Sequence, residues 1–341
     1  MTNFFELSTN EQAKLMADMA ATVLSQWNLQ DGALSLIKYR ENAVFEVSLP
    51  NGERFALRIH RHGYHSDDEL RSELQWMDAL QKADIHVPTI VPTVNGELFY
   101  CTSHDGIPGE HQIDVFEWIE GSQLGSVESG LEDSASRVDS YRTLGELAAK
   151  IHNQAVGWTL PEGFVRHAWD LEGLVGDQPF WGPFWELSAL THEQRDLLLQ
   201  ARAKVRDEMT RYAALPDSTN RYSMIHADFV AENVMVCDGD VRLIDFDDAG
   251  FGWHLFELAT AVYFEYREDH YPDIWEALIS GYRAHRDLPD EHLAYVPTFL
   301  MARSFTYLGW VHTRSETETA RELTPMLVEL CCGMAEEYLS A

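Results

Sequence analysis

From residue 33 to 60, apolar and polar positions alternate with period two through ALSLIKYR, NAVFEVSL and ERFALRIH, and the Asn51-Gly52 pair interrupts the pattern at LPNGE. Period two sends successive side chains to opposite faces, so the runs predict three antiparallel strands with a tight turn at Asn51-Gly52. Ahead of them, Met16, Met19, Ala20, Val23, Leu24 and Trp27 recur at helical spacing behind a Ser8/Glu11 capping box. That pattern predicts an amphipathic helix; an acidic start without a basic segment does not read as a signal peptide. After the strands, SDDELRSELQWMDALQK sets Leu70, Leu74, Met77 and Leu80 along one helical stripe, and the prolines of VPTIVPT end it. The stripe predicts a helix packed on the sheet. Two more strand-like runs, GELFYCT and QIDVFEWI, precede Gly121, beyond which long helical patterns such as YRTLGELAAKIHNQA and TFLMARSFTYLGWVHTR take over. The expected fold class is α+β, with a small antiparallel-sheet lobe over residues 1–120 and a larger, mainly helical lobe over 121–341.

The helical half is interrupted by IHADFVAENVMVCDGDVRLIDFDDAG, where VMV and VRLI flank the turn signal Asp238-Gly239-Asp240. A hairpin is expected there. A two-residue loop sets Asn233 opposite Ile244, and a three-residue loop sets it opposite Asp245. Either register brings the Asn233 amide and the Asp245 carboxylate to the same end of adjacent strands, roughly 5 Å apart at the backbone. Two hard oxygen donors suit Mg²⁺. Asp228, five residues before Asn233, borders that place without having to ligate a metal, as a general base would.

Composition narrows the classes of partner. With 341 residues and 45% apolar content the chain exceeds one compact core, in keeping with two lobes. The formal net charge of −31, from 56 acids against 25 Lys and Arg, opposes non-specific attraction to nucleic acid or an anionic membrane. No run approaches the ~18 consecutive apolar residues of a membrane span. Four cysteines without zinc spacing fit a reducing cytoplasm.

The order His226, Asp228, Asn233, then a hairpin ending in Asp245, resembles the catalytic core of kinase-fold phosphotransferases. HADFVAEN and DFDDAG are similar to the aminoglycoside phosphotransferase and choline kinase-like family, which includes homoserine kinase type II and a bacterial stress-response kinase. The likeness runs from about residue 33 to the C-terminal helices. It implies a bilobal protein-kinase-like fold and ATP- and Mg²⁺-dependent transfer of the γ-phosphate to a hydroxyl. By this resemblance Asp228 is the base, His226 orients its loop, and Asn233 and Asp245 hold Mg²⁺. In ERFALRIH, Ala56 and Arg58 lie on the face opposite Phe55, Leu57 and Ile59. The resemblance then implies that Ala56 covers adenine and that Arg58, standing where Lys is common, meets the phosphates. Glu73 is the expected partner of Arg58, with Glu69 one turn earlier as the rival. FEWIEG would be the hinge, with Glu117 and Ile119 offering backbone groups to adenine. KYRENAV lacks a Gly-rich phosphate loop, which fits a small-molecule kinase, and Glu257 stands where the family often carries Asp, so its contacts are expected to differ.

Asp245-Phe-Asp-Asp-Ala-Gly is not an EF-hand loop, since its fifth position is Ala249 and its twelfth is Phe256. Asp247 could contact a second metal or a substrate amine, and Asp248 reads as a cap for the next turn. The tryptophans of HAWDLEGLVGDQPFWGPFW could line a pocket for an amine or quaternary ammonium, although most read as core. Arg303, Thr306, Trp310 and Arg314 share one helical face, a stripe that could receive a carboxylate or phosphate if it borders a cleft. The expected acceptor is a small molecule bearing a hydroxyl and an amine. A protein kinase of the stress-response type and an inactive nucleotide-binding regulator are the alternatives.

Overall fold

The computed structural model describes residues 4–39, 42–124, 134–217, 220–237 and 240–341; the Asp238-Gly239 turn and residues 40–41 of KYRENAV lie outside them. The chain packs as two compact units. One comprises Met1–Gly121, Leu160–Val165 and Cys237–Ile244, and the other Ser122–Thr159, Arg166–Val236 and Asp245–Ala341.

The first unit opens with α1 (Thr9–Val23), where the Ser8 hydroxyl accepts the Glu11 N–H and the Glu11 carboxylate takes the Ser8 N–H. Then follow β1 (Ala33–Tyr39), β2 (Ala43–Ser48), β3 (Arg54–Ile59), α2 (Asp67–Gln81), β4 (Tyr100–Thr102) and β5 (His111–Glu117). The strands form an antiparallel sheet in the order β1-β2-β3-β5-β4. Gly52 in the β2–β3 turn has φ 92°, a conformation that side chains resist. Leu57 and Ile59 are buried with Met16, Met19 and Val23 of α1, and Phe55 packs against that core. Each such buried side chain contributes roughly 1.5–3 kcal/mol. That face therefore belongs to α1, and the opposite face of β3 carries Ala56 and Arg58. A bulge between Leu36 and Lys38 breaks the alternation of β1, leaving Leu36 and Ile37 half exposed.

The second unit contains β6 (Ser122–Gln123), α3 (Ser134–Gly157), β7 (Ala168–Trp169), α4 (Leu171–Val175), α5 (His192–Ala214), β8 (Tyr222–Ile225) and most of β9 (Val234–Cys237). Strand β10 (Asp240–Leu243) falls in the first unit. The second resumes with β11 (Gly250–Trp253), α6 (His254–Val262), α7 (Tyr271–Arg283), α8 (Asp290–Leu293), α9 (Val296–Thr313) and α10 (Glu318–Ser340). β11 runs parallel to β7 and antiparallel to β8. Helices α3 and α7 press together at two glycines: a Cβ on Gly145 would lie 2.0 Å from the Leu278 carbonyl, and one on Gly281 2.0 Å from that of Arg142. Helix α9 is the axis of this unit, buried on nearly every side between α5, α6 and α10. The stripe that could have received an anion at a cleft is therefore mostly interior, with Arg303, Thr306 and Arg314 all buried. Among the described residues no helix is long and apolar enough to cross a membrane.

Candidate active site

Each unit carries a set of the expected site residues. In the first, the sheet register places Arg58 of β3 directly opposite Asp114 of β5. The guanidinium meets the Asp114 carboxylate side-on, Nε donating to Oδ1 at 3.1 Å and Nη2 to Oδ2 at 2.7 Å, and Nη2 also reaches Glu73 Oε1 of α2 at 2.8 Å. Asp114 and Glu73 are fully buried and Arg58 nearly so. A two-pronged contact of this kind needs the planar fork of Arg, which accounts for Arg at this position; an ammonium is a point donor. Burial pushes the Asp114 carboxyl up, but Arg58 and His60, whose Nε2 lies 3.0 Å from Oδ2, outweigh it and bring the pKa down to about 2.

Glu73, not Glu69, carries the pair with Arg58. Glu69 Oε2 accepts the Ser66 N–H at 2.8 Å and the Ser66 hydroxyl at 2.9 Å, capping the start of α2. Ala56 stands between Glu46 of β2 and Phe116 of β5. Glu117 is exposed at the end of β5 and donates its N–H to the Thr89 carbonyl, so only its carbonyl remains to serve a ligand. Ile119, two residues on, is half-buried.

In the second unit, β8 runs into His226, Ala227 and Asp228. Ala227 has φ 65°, a left-handed conformation that costs a non-glycine residue on the order of 1 kcal/mol. Glu257 of α6, fully buried, holds it there by accepting both the His226 and Ala227 N–H groups at 2.7 Å. Its task is to bridge two adjacent backbone donors. His226 is fully buried, edge-on to Phe246 at 4.8 Å, within the wall of the loop.

The Asp228 side chain is 29% exposed and has two fixed partners. Arg303 Nη2 of α9 donates to Oδ1 at 2.8 Å, and Asn233 Nδ2 donates to Oδ2 at 2.8 Å and to the Asp228 carbonyl at 2.9 Å. Because the Asn233 nitrogen is committed to Asp228, its Oδ1 is the atom available as a ligand. Asp245 is exposed, with φ 66°. An amide oxygen and a carboxylate make a hard donor set of the kind Mg²⁺ takes. The turn after Asp245 is held by its backbone: Arg166 donates to the carbonyls of Asp247 and Ala249, and Trp169 Nε1 to that of Asp248 at 2.9 Å. The Asp247 side chain is buried and that of Asp248 half-buried.

The tryptophans that could have formed an amine pocket mostly serve the protein itself. Trp169 is fully buried, Trp181 faces the guanidinium groups of Arg303 at 5.1 Å and Arg314 at 5.8 Å, and Trp185 faces Arg202 at 4.3 Å. Asp114, the pairing of Arg303 with Asp228 and the bridging role of Glu257 were not foreseen. The first two left a trace in the sequence, an ionisable residue inside an apolar strand, QIDVFEW, and inside an apolar helix, TFLMARSFTYLGW.

Behind Glu257 lies a buried pair of imidazoles. His152 and His254 stack at 3.9 Å; His152 Nδ1 is 2.9 Å from the Tyr282 hydroxyl and Nε2 is 3.9 Å from Glu257, while His254 Nε2 meets Ser223 Oγ at 2.8 Å. Burial holds both rings below their ordinary range, His254 well below it. The unfolded chain protonates each near pH 6.5 and the folded one resists, so their contribution to stability is present above that pH and is lost as the pH falls below it. At pH 5.5 the loss reaches up to about 1.4 kcal/mol per histidine. Urea midpoints should drop between pH 7.5 and 5.5, and a flat profile would contradict this account.

The model of the phosphotransferase enzyme family matches residues 36–292. The amicoumacin kinase of Bacillus subtilis is 23% identical over 292 residues, 83% of this chain and 80% of that protein. Among solved structures, a microcompartment-associated aminopropanol kinase is 29% identical with a TM-score of 0.83, covering 95% of this chain and 98% of its own. An amicoumacin kinase in complex with AMP-PNP, Ca²⁺ and Ami is 19% identical with a TM-score of 0.74, covering 97% and 96%.

Proposed function

The chain belongs to the phosphotransferase enzyme family and is a kinase acting on a hydroxyl group, and from that premise we propose an ATP- and Mg²⁺-dependent kinase whose acceptor is a small amino alcohol. The observation that carries the reading is the Asp228 carboxylate, partly exposed and oriented by two donors on a loop that Glu257 holds in a strained conformation. Asp228 accepts or orients the acceptor's hydroxyl proton, and His226 supports the loop from within the core. Asn233 Oδ1 and Asp245 are the metal ligands, and a bound Mg²⁺ supplies charge neutralisation on the nucleotide phosphates. In the first unit, residues 1–120 provide the nucleotide-binding lobe: Arg58, fixed by Asp114 and Glu73, meets the phosphates, Ala56 covers the adenine, and the Glu117 carbonyl and Ile119 backbone serve its edge. Residues 121–341 supply catalysis and acceptor binding. Phosphoryl transfer asks for little more than positioning and charge neutralisation, so this short set suffices.

The amine rests on the likeness to an aminopropanol kinase, on the net charge of −31 and on the carboxylates that follow Asp245. The acidic balance also disfavours nucleic acid and membranes as partners, and four free cysteines suit a cytoplasmic setting. ATP consumption measured with amino alcohols, homoserine, aminoglycosides, neutral polyols and a generic protein substrate tests the acceptor. Amino alcohols should give the highest kcat/KM. Faster turnover of a neutral polyol would remove the amine from the proposal, and turnover of the protein alone would favour a stress-response type of kinase.

A further inference from the structure

Arg303 is where sequence and structure part most sharply. On the TFLMARSFTYLGWVHTR helix it belonged to a stripe that could receive an anionic group if it bordered a cleft, yet the residue is fully buried and both of its terminal nitrogens are engaged within the protein. Nη2 reaches Asp228 Oδ1 at 2.8 Å and the Tyr307 hydroxyl at 3.0 Å, and Nη1 reaches the Ala227 carbonyl at 3.1 Å. Three rings pack around the guanidinium, with centroids at 4.3 Å for Tyr307, 5.1 Å for Trp181 and 5.7 Å for Phe256. Aromatic enclosures can receive a ligand's cation; this one holds the protein's own.

Resting on the assignment of Asp228 as the base, we propose that Arg303 is the positioning residue that sets the orientation of the Asp228 carboxylate for the acceptor hydroxyl, and that it makes no contact with the substrate. The argument is geometric. An aspartate on a loop has two side-chain torsions to fix. Asn233 fixes one oxygen from the same loop, but a partner five residues away moves with that loop and gives no external reference. Arg303 supplies that reference from α9, a largely buried helix, by binding the carboxylate and the backbone carbonyl of the preceding residue together. The fork locks the side chain relative to its own main chain, which a single-point donor cannot do. Displacing a reacting group by about 1 Å costs on the order of 10²-fold in rate, so the expected effect falls on kcat.

The test is a double-mutant cycle on the full chain, with kcat and both KM values measured and folding checked by near-ultraviolet circular dichroism. Arg303→Met should lower kcat about 10²-fold while KM for ATP and for the acceptor stay within about threefold, and Arg303→Lys, which restores one donor, should recover part of the loss. In the Asp228→Asn background, Arg303→Met should lower kcat by less than about twofold further, because the group it positions is gone. Three results would overturn the proposal: a rise in acceptor KM at unchanged kcat, which would make Arg303 a substrate contact; a multiplicative loss in the double variant, which would make its role structural; or wild-type kcat in Arg303→Met. If Arg303→Met fails to fold, Arg303→Lys takes its place in the cycle and the same outcomes decide. Wild-type turnover by Asp228→Asn alone would instead sink the assignment of the base itself.

Discussion

Asp228→Asn is expected to lower kcat by about 10²-fold or more while leaving Mg·ATP affinity nearly intact, because the acceptor hydroxyl loses its proton acceptor and the nucleotide loses nothing. The substitution is close to isosteric. An amide in that place can still accept one hydrogen bond from Arg303, but its nitrogen would then face the Asn233 nitrogen, donor against donor. Some loss of orientation therefore accompanies the loss of basicity. Asp245→Asn makes the contrast: an uncharged amide oxygen is a poorer ligand for a hard cation, so Mg²⁺ dependence and ATP binding should weaken together. Calorimetric titration of both variants with ATP at fixed Mg²⁺, beside steady-state rates, separates the roles. Wild-type turnover by Asp228→Asn, or normal Mg·ATP binding by Asp245→Asn, would show that the two carboxylates have been misassigned.

The second large effect is on stability and comes from Glu257→Ala. The carboxylate accepts two adjacent N–H groups in a fully buried setting, and both lose their partner at once. An unsatisfied buried donor costs about 1–3 kcal/mol, so the pair is worth roughly 2–6 kcal/mol. That is a large part of the ~5–15 kcal/mol that separates most folded domains from unfolding. Glu257→Gln should fall between, since one amide oxygen can serve one of the two donors and its NH₂ opposes the other. Activity should fall with stability in both variants, because Ala227 keeps its left-handed backbone only while those bonds hold. Urea unfolding followed by circular dichroism measures the difference. A Glu257→Ala protein within about 1 kcal/mol of the parent would mean that the loop is held by other contacts.

The local elements of this protein are written in its sequence. Alternation over residues 33–60 marked β1 to β3 and, in β2, the face each side chain takes, since period two is a property of the strand itself. Asn51-Gly52 marked the turn that needs a positive φ, and Ser8 with Glu11 marked the start of α1. The spacing of His226, Asp228, Asn233 and Asp245 identified the loop that carries the proposed chemistry. Local pattern failed at β1, where a bulge that periodicity does not announce exposes Leu36 and Ile37. It also left Glu69 and Glu73 open as partners of Arg58, and the choice fell to Glu73 once Glu69 was used as a cap.

What the tertiary structure alone decided is which distant residue meets which. Arg58 and Asp114 are 56 positions apart, Arg303 and Asp228 are 75, and Glu257 reaches back 31 to His226. Periodicity states which face of an element is buried, and says nothing about the charge that will face it across the core. An isolated Arg or Asp in an apolar run shows only that a partner must exist, because a buried charge is too costly to leave unpaired. The packing of α9 beside the Asp228 loop and of β5 beside β3 supplies that partner, and makes Arg303 a fixed internal brace.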